Sequence, residues 1–245
     1  VRNAAHTFLK MRRCWATERH IARSAAARRR ALTRPEMEQD LVIDPEGWLV
    51  AAERHESPHY NERPDEDAEP HVVVLHNISL PPNRFGTGLV RDLFMGELDT
   101  KTHPDLTDLE GLRVSSHFFI ARDGRIEQFV SCAKRAWHAG VSRFNGRDNC
   151  NDFSIGIELE GTDFVAFEEA QYQALVKLLG AIDARYGLSY IVGHSDIAPG
   201  RKTDPGPHFD WVRLNGSRSA FGSPQFAGAA ARLQLSILEQ SFARA

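Results

Sequence analysis

Three apolar runs of this chain end on residues that can do acid–base or metal chemistry. His71-Val72-Val73-Val74-Leu75 leads into His76, Phe153-Ser154-Ile155-Gly156-Ile157 into Glu158, and Tyr190-Ile191-Val192-Gly193 into His194. Ten residues after His194 stands Asp204, followed by Pro205-Gly206-Pro207. The proline disfavours helical geometry at the aspartate, and the stretch reads as a shaped loop. Two imidazoles and one carboxylate leave a tetrahedral ion an open corner for water, the pattern of catalytic rather than structural zinc. Water held there ionises near neutral pH and can attack a carbonyl. Glu158 could then serve as general base, and Lys202 could stabilise the developing oxyanion. The same donor set suits a non-haem iron centre with two histidines and a carboxylate. Taken singly, each group has an ordinary explanation: a hydrogen-bonded histidine, an edge glutamate, a solvated lysine, a turn-capping aspartate. What points to a site is that matched groups recur at the ends of strands that should be neighbours.

The elements that must position them are legible in outline. A continuous β-branched run such as Val72-Val73-Val74 predicts a strand buried on both faces. Asp123-Gly124, between the runs 115–121 and 125–130, is a hairpin signal. Residues 88–98 have helical spacing. Residues 168–186 make the best helix, with Ala170, Leu175, Val176, Leu179 and Ile182 on one stripe and Gly187 as its stop. Gly47-Trp48-Leu49-Val50 is a candidate edge strand, in a Pro- and acid-rich loop spanning 44–70. Interleaved strands and helices with one hairpin predict a mixed α/β (α+β) fold, a central mixed sheet flanked by helices. Ligands of such sheets bind beyond the carboxyl ends of the strands. The period of two puts Glu158 on one face with Ser154 and Gly156, where small side chains leave space for a substrate. Glu160 shares that parity.

Composition bounds the rest. At 245 residues, 42% hydrophobic and 26% charged, the chain can bury a core and is not disordered throughout. No apolar run approaches the ~20 residues of a membrane span. Cys14, Cys132 and Cys150 are too few and too widely spaced for a disulfide scaffold or a zinc knuckle, which favours reduced thiols in a cytoplasmic setting. Residues 1–36 carry ten Lys/Arg against two Glu, while the remainder carries 20 basic and 31 acidic residues. The acidic remainder is a poor nucleic-acid binder. The basic segment lacks the apolar stretch of an export signal. It is read as a dispensable arm or a start-site artefact preceding Met37, with an enzymatic domain over 37–215 and a partly helical tail over 216–245.

Longer motifs carry a resemblance. They are Ser57-Pro58-His59-Tyr60, Leu75-His76-Asn77-Ile78-Ser79-Leu80-Pro81-Pro82, and Lys134-Arg135-Ala136-Trp137-His138-Ala139-Gly140-Val141-Ser142. Further on come Cys150-Asn151-Asp152-Phe153-Ser154-Ile155-Gly156-Ile157-Glu158-Leu159-Glu160-Gly161, Gly193-His194, Asp196-Ile197-Ala198-Pro199, and Arg201-Lys202-Thr203-Asp204-Pro205-Gly206-Pro207. With them the chain resembles the amidase-2 family, which includes the peptidoglycan recognition proteins, and within it the AmpD type. The resemblance runs from about Gly47 to about Leu214. It implies zinc held by His76, His194 and Asp204, an acid/base at Glu158, and Lys202 steadying the tetrahedral intermediate. It also places Asn77, Arg113, Trp137 and His138 near the substrate. Asn149 stands where some relatives carry an arginine near the stem peptide, with Arg143 and Arg147 as replacements. The implied activity is hydrolysis of the lactyl–L-alanine amide of 1,6-anhydro-muramyl peptides in cytoplasmic cell-wall recycling. The implied partner is a small muropeptide, met by a monomer with no nucleic acid and no membrane span. The alternatives are an amidase of polymeric peptidoglycan or a non-catalytic peptidoglycan-binding module.

Overall fold

A computed structural model describes residues 41–64, 69–221 and 224–226. The basic segment 1–36 and most of the tail expected to be partly helical lie outside these residues. In chain order the strands are β1 (Glu53–Arg54), β2 (Tyr60–Asn61), β3 (Val72–Ile78), β4 (Phe118–Ile120), β5 (Ile126–Gln128), β6 (Arg135–Ala136), β7 (Arg143–Phe144), β8 (Arg147–Asp148), β9 (Ser154–Glu160), β10 (Tyr190–Gly193) and β11 (Gln225–Phe226). The helices are α1 (Leu89–Met95), α2 (Glu169–Tyr186), α3 (His194–Ile197) and α4 (Trp211–Gly216).

Seven strands form one mixed sheet in the order β1-β5-β4-β9-β3-β10-β11. Only the β4–β5 hairpin is antiparallel, turning at Asp123-Gly124 as its sequence predicts. The centre is β9–β3–β10, all parallel. Every residue of β9 is buried, as are the first five of β3, which explains their near-continuous apolar character. Strand β3 runs two residues past its expected end, to Ile78, and β9 ends at Glu160. The parallel register opposes His76 to Glu158 and Val74 to Gly156. On its other side Glu158 is opposed by Phe119 of β4.

One face of the sheet, with Val73, Leu75, Phe118, Ile120, Ile155, Ile157 and Leu159, packs in a single cluster with α2. Glu168 and Gln171 form a capping box at the start of α2, and Gly187 ends it at φ +66°. The buried stripe of α2 is Tyr172, Leu175, Leu178, Leu179 and Ile182, while Ala170 and Val176 are only half-buried. Gln171 Nε2 donates to the carbonyls of Ile120 and Glu160, tying α2 to the ends of β4 and β9. The opposite face carries Val72, Val74 and Val192, and with them His76 and Glu158.

Two expectations change. Gly47-Trp48-Leu49-Val50 makes no edge strand. Asp44 accepts the Trp48 amide on Oδ1 and its own amide bonds the Trp48 carbonyl, so the segment closes into a turn with only the bridge Ile43–Leu49. The edge is β1, paired parallel to β5. Residues read as tail also complete the sheet: Phe221 is buried, and β11 pairs with β10.

Beneath the centre of the sheet, Arg63 donates to the carbonyls of Asn151, Asp152, Cys132 and Ser154 and fixes the entry to β9. Beside it, buried His117 accepts the Gly156 amide on Nδ1 at 3.0 Å. That leaves Nε2 to donate to the Lys134 carbonyl at 3.1 Å. Burial, reinforced by the Arg63 charge, lowers the His117 pKa to about 3. Between pH 6.5 and 3 the unfolded chain therefore takes up a proton that the folded chain refuses, so this residue withdraws stability as pH falls. The slope approaches about 1.4 kcal/mol per pH unit. We expect His117→Asn, which keeps an acceptor for Gly156, to lower stability at pH 7 by about 1–3 kcal/mol. Its urea unfolding free energy should also fall less steeply between pH 6.5 and 4. An unchanged slope would reject the assignment.

Candidate metal centre

His76 leaves β3 on the face away from α2, and His194 opens α3 directly after β10. The return loop brings Asp204 to both. Ser195 donates its amide to the Asp204 carbonyl at 2.9 Å, and Asn77 Nδ2 donates to the Pro205 carbonyl at 3.1 Å and to Asp163 Oδ1 at 2.9 Å. The loop packs tightly: a Cβ on Gly193 would stand 2.9 Å from Pro205 Cδ, and one on Gly206 2.4 Å from Asp163 Oδ1.

Three atoms converge as a result. His76 Nδ1 lies 2.9 Å from His194 Nδ1, and Asp204 Oδ2 lies 3.0 Å from each. The far nitrogens are engaged elsewhere, His76 Nε2 with His138 Nδ1 and His194 Nε2 with the Ala139 carbonyl, both at 3.0 Å. A carbonyl can only accept, so His194 carries its proton on Nε2 and turns a bare Nδ1 inward. Burial lowers the His76 pKa to about 4 against the opposing hydrogen bond to Asp204. For Asp204, burial alone would raise the pKa, but the two histidine side chains that face it hold it well below the carboxylate range. Neutral imidazoles and an ionised carboxylate are the states a metal requires. A tetrahedral ion with bonds of about 2.0–2.1 Å spaces its ligands roughly 3.3 Å apart, so ~0.3 Å of outward movement would seat one. The donor set therefore fits zinc. No other group of three possible metal-ligating side chains is found among the described residues.

Glu158 Oε1 lies 3.9 Å from His76 Nδ1, and its Oε2 is buried without a partner. Burial, then repulsion from Asp204, raises its pKa well above the carboxylate range, against the pull of Lys202. Glu160, of the same parity, differs: Oε1 accepts the Gly86 amide at 2.5 Å and Oε2 the Arg122 amide at 3.2 Å. Lys202 is exposed, and its charge also helps depress the His76 pKa. Lys202, Asp204, Asn77 and exposed Phe164 line a cleft of about 470 Å³. A larger cavity, about 570 Å³, flanks Glu160 instead, within the Arg91–Glu127–Arg125 ion-pair network.

The residues expected near a substrate separate. Trp137 is half-buried, stacked on His59, and donates from Nε1 to Asn61 Oδ1 at 2.6 Å. Arg113 is exposed beside a small cavity of about 150 Å³ together with His59 and Leu98. Asn77 spends its amide nitrogen bracing the Asp204 loop. His138 is buried with both ring nitrogens engaged, so its contacts are with His76 and Ser154 and not with the cleft. Nor is the space over Gly156 free for a substrate: a Cβ there would stand 2.5 Å from His138 Cγ. Asn149 has φ +59°, a conformation asparagine tolerates better than most residues. Arg143 is paired with Asp148, and Arg147 lies over the Phe153 ring.

Residues 66–207 match the family model described as N-acetylmuramoyl-L-alanine amidase. The chain belongs to this amidase-2 family. It is 55% identical over 176 residues to the 1,6-anhydro-N-acetylmuramyl-L-alanine amidase AmpD of Citrobacter freundii, covering 71% of this chain and 93% of that protein. Escherichia coli (strain K12) AmpD is 54% identical over 171 residues, 69% of this chain and 93% of that one. A crystal structure of a selenomethionine AmpD derivative superposes with a TM-score of 0.70 at 52% identity, covering 72% of this chain and 99% of that chain. No helix among the described residues of this amidase-2 chain is long and apolar enough to cross a membrane.

Motif reading missed the supports of the amidase site. Asn151 Oδ1 accepts the amides of His138 and Ala139 at 3.1 and 2.8 Å, and Arg201 Nη2 donates to the carbonyls of Ala139 and Val141 at 2.9 and 2.6 Å. Both sit inside quoted motifs, but only the fold shows what they hold. The two glutamates give a direct test. Glu160→Ala should cost about 1–3 kcal/mol, since it strands two backbone amides. Glu158→Gln should leave the urea stability of metal-free protein unchanged or raised. The reverse order would show that the two carboxylates have been confused.

Proposed function

We propose that this amidase-2 chain is a zinc-dependent N-acetylmuramoyl-L-alanine amidase that cleaves the lactyl–L-alanine amide of 1,6-anhydro-muramyl peptides, in cytoplasmic peptidoglycan recycling. The observation that carries the chemistry is the meeting of His76 Nδ1, His194 Nδ1 and Asp204 Oδ2 within 3.0 Å, with the orphaned Glu158 carboxyl beside them. The donor types alone would also suit iron; membership of the amidase-2 family supports the zinc reading. The substrate class rests on the similarity to AmpD.

His76, His194 and Asp204 would hold the ion. When bound, it would act as a Lewis acid that brings a water's pKa toward neutrality. Glu158 takes the proton of the attacking water on its carboxylate. It then returns that proton to the departing L-alanine nitrogen, and the lactyl carboxylic acid so formed gives its remaining proton to the released amine, leaving a carboxylate and an ammonium. A carboxyl whose proton affinity is raised by burial is matched to both halves of this transfer. Lys202, at the rim of the cleft, offers a cation to the oxygen on which charge develops.

The test incubates the protein with an anhydro-muramyl peptide and its non-anhydro counterpart, with and without chelator, and follows free peptide. Release should be faster from the anhydro substrate, stop with chelator and return with zinc. Glu158→Ala should keep stoichiometric zinc while losing about 10²–10⁴-fold in kcat. His194→Ala should lose the metal, and Lys202→Ala should lose about 10²–10³-fold in kcat. Full activity in metal-free protein would end the zinc mechanism. Equal rates on both sugars would end the anhydro assignment.

A further inference from the structure

We infer that His138 is a positioning residue of the metal centre: it accepts the Nε2 proton of His76 and thereby holds the His76 Nδ1 lone pair toward the ion. This rests on the zinc reading above. The direction of every hydrogen bond in the chain behind His76 follows from its far end. The Ser154 hydroxyl donates to the Cys150 carbonyl, an acceptor only, at 2.6 Å. Its oxygen is then free to accept from His138 Nε2, 3.3 Å away. With the proton of a neutral His138 on Nε2, Nδ1 is a bare acceptor, and it faces His76 Nε2 at 3.0 Å. His76 must therefore carry its proton on Nε2.

The two metal-facing histidines are thus oriented by different means. His194 bonds a backbone carbonyl, which no substitution at Ala139 removes. His76 depends on a side chain, and that side chain is held on every side. Its backbone amide is fixed by Asn151 Oδ1 at 3.1 Å. Its ring lies edge-on to His76, with centroids 5.1 Å apart. A Cβ on Gly156 would stand 2.5 Å from its Cγ, so the glycine makes room for the ring. Partners of this kind typically change metal affinity 10–100-fold when removed.

The experiment measures zinc affinity by chelator competition, and the d–d spectrum of the cobalt-substituted protein, for the parent and for His138→Leu, His138→Asn and Ser154→Ala. Asparagine places Oδ1 near the position of Nδ1, so it keeps the acceptor. His138→Leu should weaken zinc 10–100-fold and alter the cobalt spectrum. His138→Asn should bind within about threefold of the parent. Ser154→Ala, which frees the His138 tautomer, should weaken binding several-fold without touching a ligand. A merely structural histidine would lower the thermal stability of metal-free protein in both His138 variants but leave zinc affinity unmoved. Parent-like affinity in His138→Leu, or equal weakening by Leu and Asn, overturns the proposal. If His138→Leu does not fold, parent-like affinity in Ser154→Ala overturns it. A parent that binds no zinc overturns the underlying metal reading as well, and so is distinguishable from failure of the positioning role alone.

Discussion

The structure is organised around one unfavourable approach: two imidazole nitrogens and a carboxylate oxygen, all rich in electrons, held within 3.0 Å of one another in a buried setting. Left to itself, such a triangle flies apart or captures a proton, because burial removes the water that would otherwise screen it. Protonation is resisted at His76, where burial and the neighbouring Lys202 charge oppose it. What holds the three atoms together is the framework behind them: the central parallel strands, the start of α3 and a braced loop. A cation at the common point would turn this repulsion into attraction. Three lone pairs aimed at one point are what a ligand set requires.

The framework works because its parts are stiff for independent reasons. The strands that aim His76 and Glu158 are buried on both faces, so neither can slip in register without carrying apolar side chains to the wrong side. Arg63 gathers four carbonyls at the entry to β9, and Gln171 gathers two more where β4 and β9 end. The strand that presents Glu158 is therefore fixed at both ends. Its carboxyl can remain under-bonded and desolvated, as an acid/base group must, because nothing about the position of the strand depends on it.

The sequence was most readable where one physical pattern decides the outcome. The valine run, the Asp123-Gly124 turn and the helix ending at Gly187 each follow from a local rule, and each lies where that rule puts it. His76, Glu158 and His194 could be picked out because they close three apolar runs, and Asp204 because Pro205-Gly206-Pro207 shapes its loop ten residues past His194. Local rules failed where a long-range partner decides. Parity gives the face of a strand but not the neighbour above it, so it could not tell Glu158 from Glu160. The difference lies in the amides of Gly86 and Arg122, brought in from elsewhere in the chain. Trp48 looked like part of a strand, yet an aspartate four residues earlier captured its amide. The small residue Gly156 signalled space correctly, but the space belongs to a ring supplied by the loop at 138.

That last substitution of a side chain for a vacancy explains why histidine recurs on this face. His76, His117 and His138 lie close together, and burial lowers the pKa of all three. A neutral imidazole offers a lone pair on one edge and a proton on the other, in a rigid plane. It can therefore pass hydrogen bonding through an apolar layer without burying a charge. His117 uses this to join the Gly156 amide to the Lys134 carbonyl, and His138 to join His76 to Ser154. An amide side chain could satisfy either end. In a site where the lone pair of His76 must point at a fixed spot, His138 ties that direction through Ser154 to the Cys150 carbonyl.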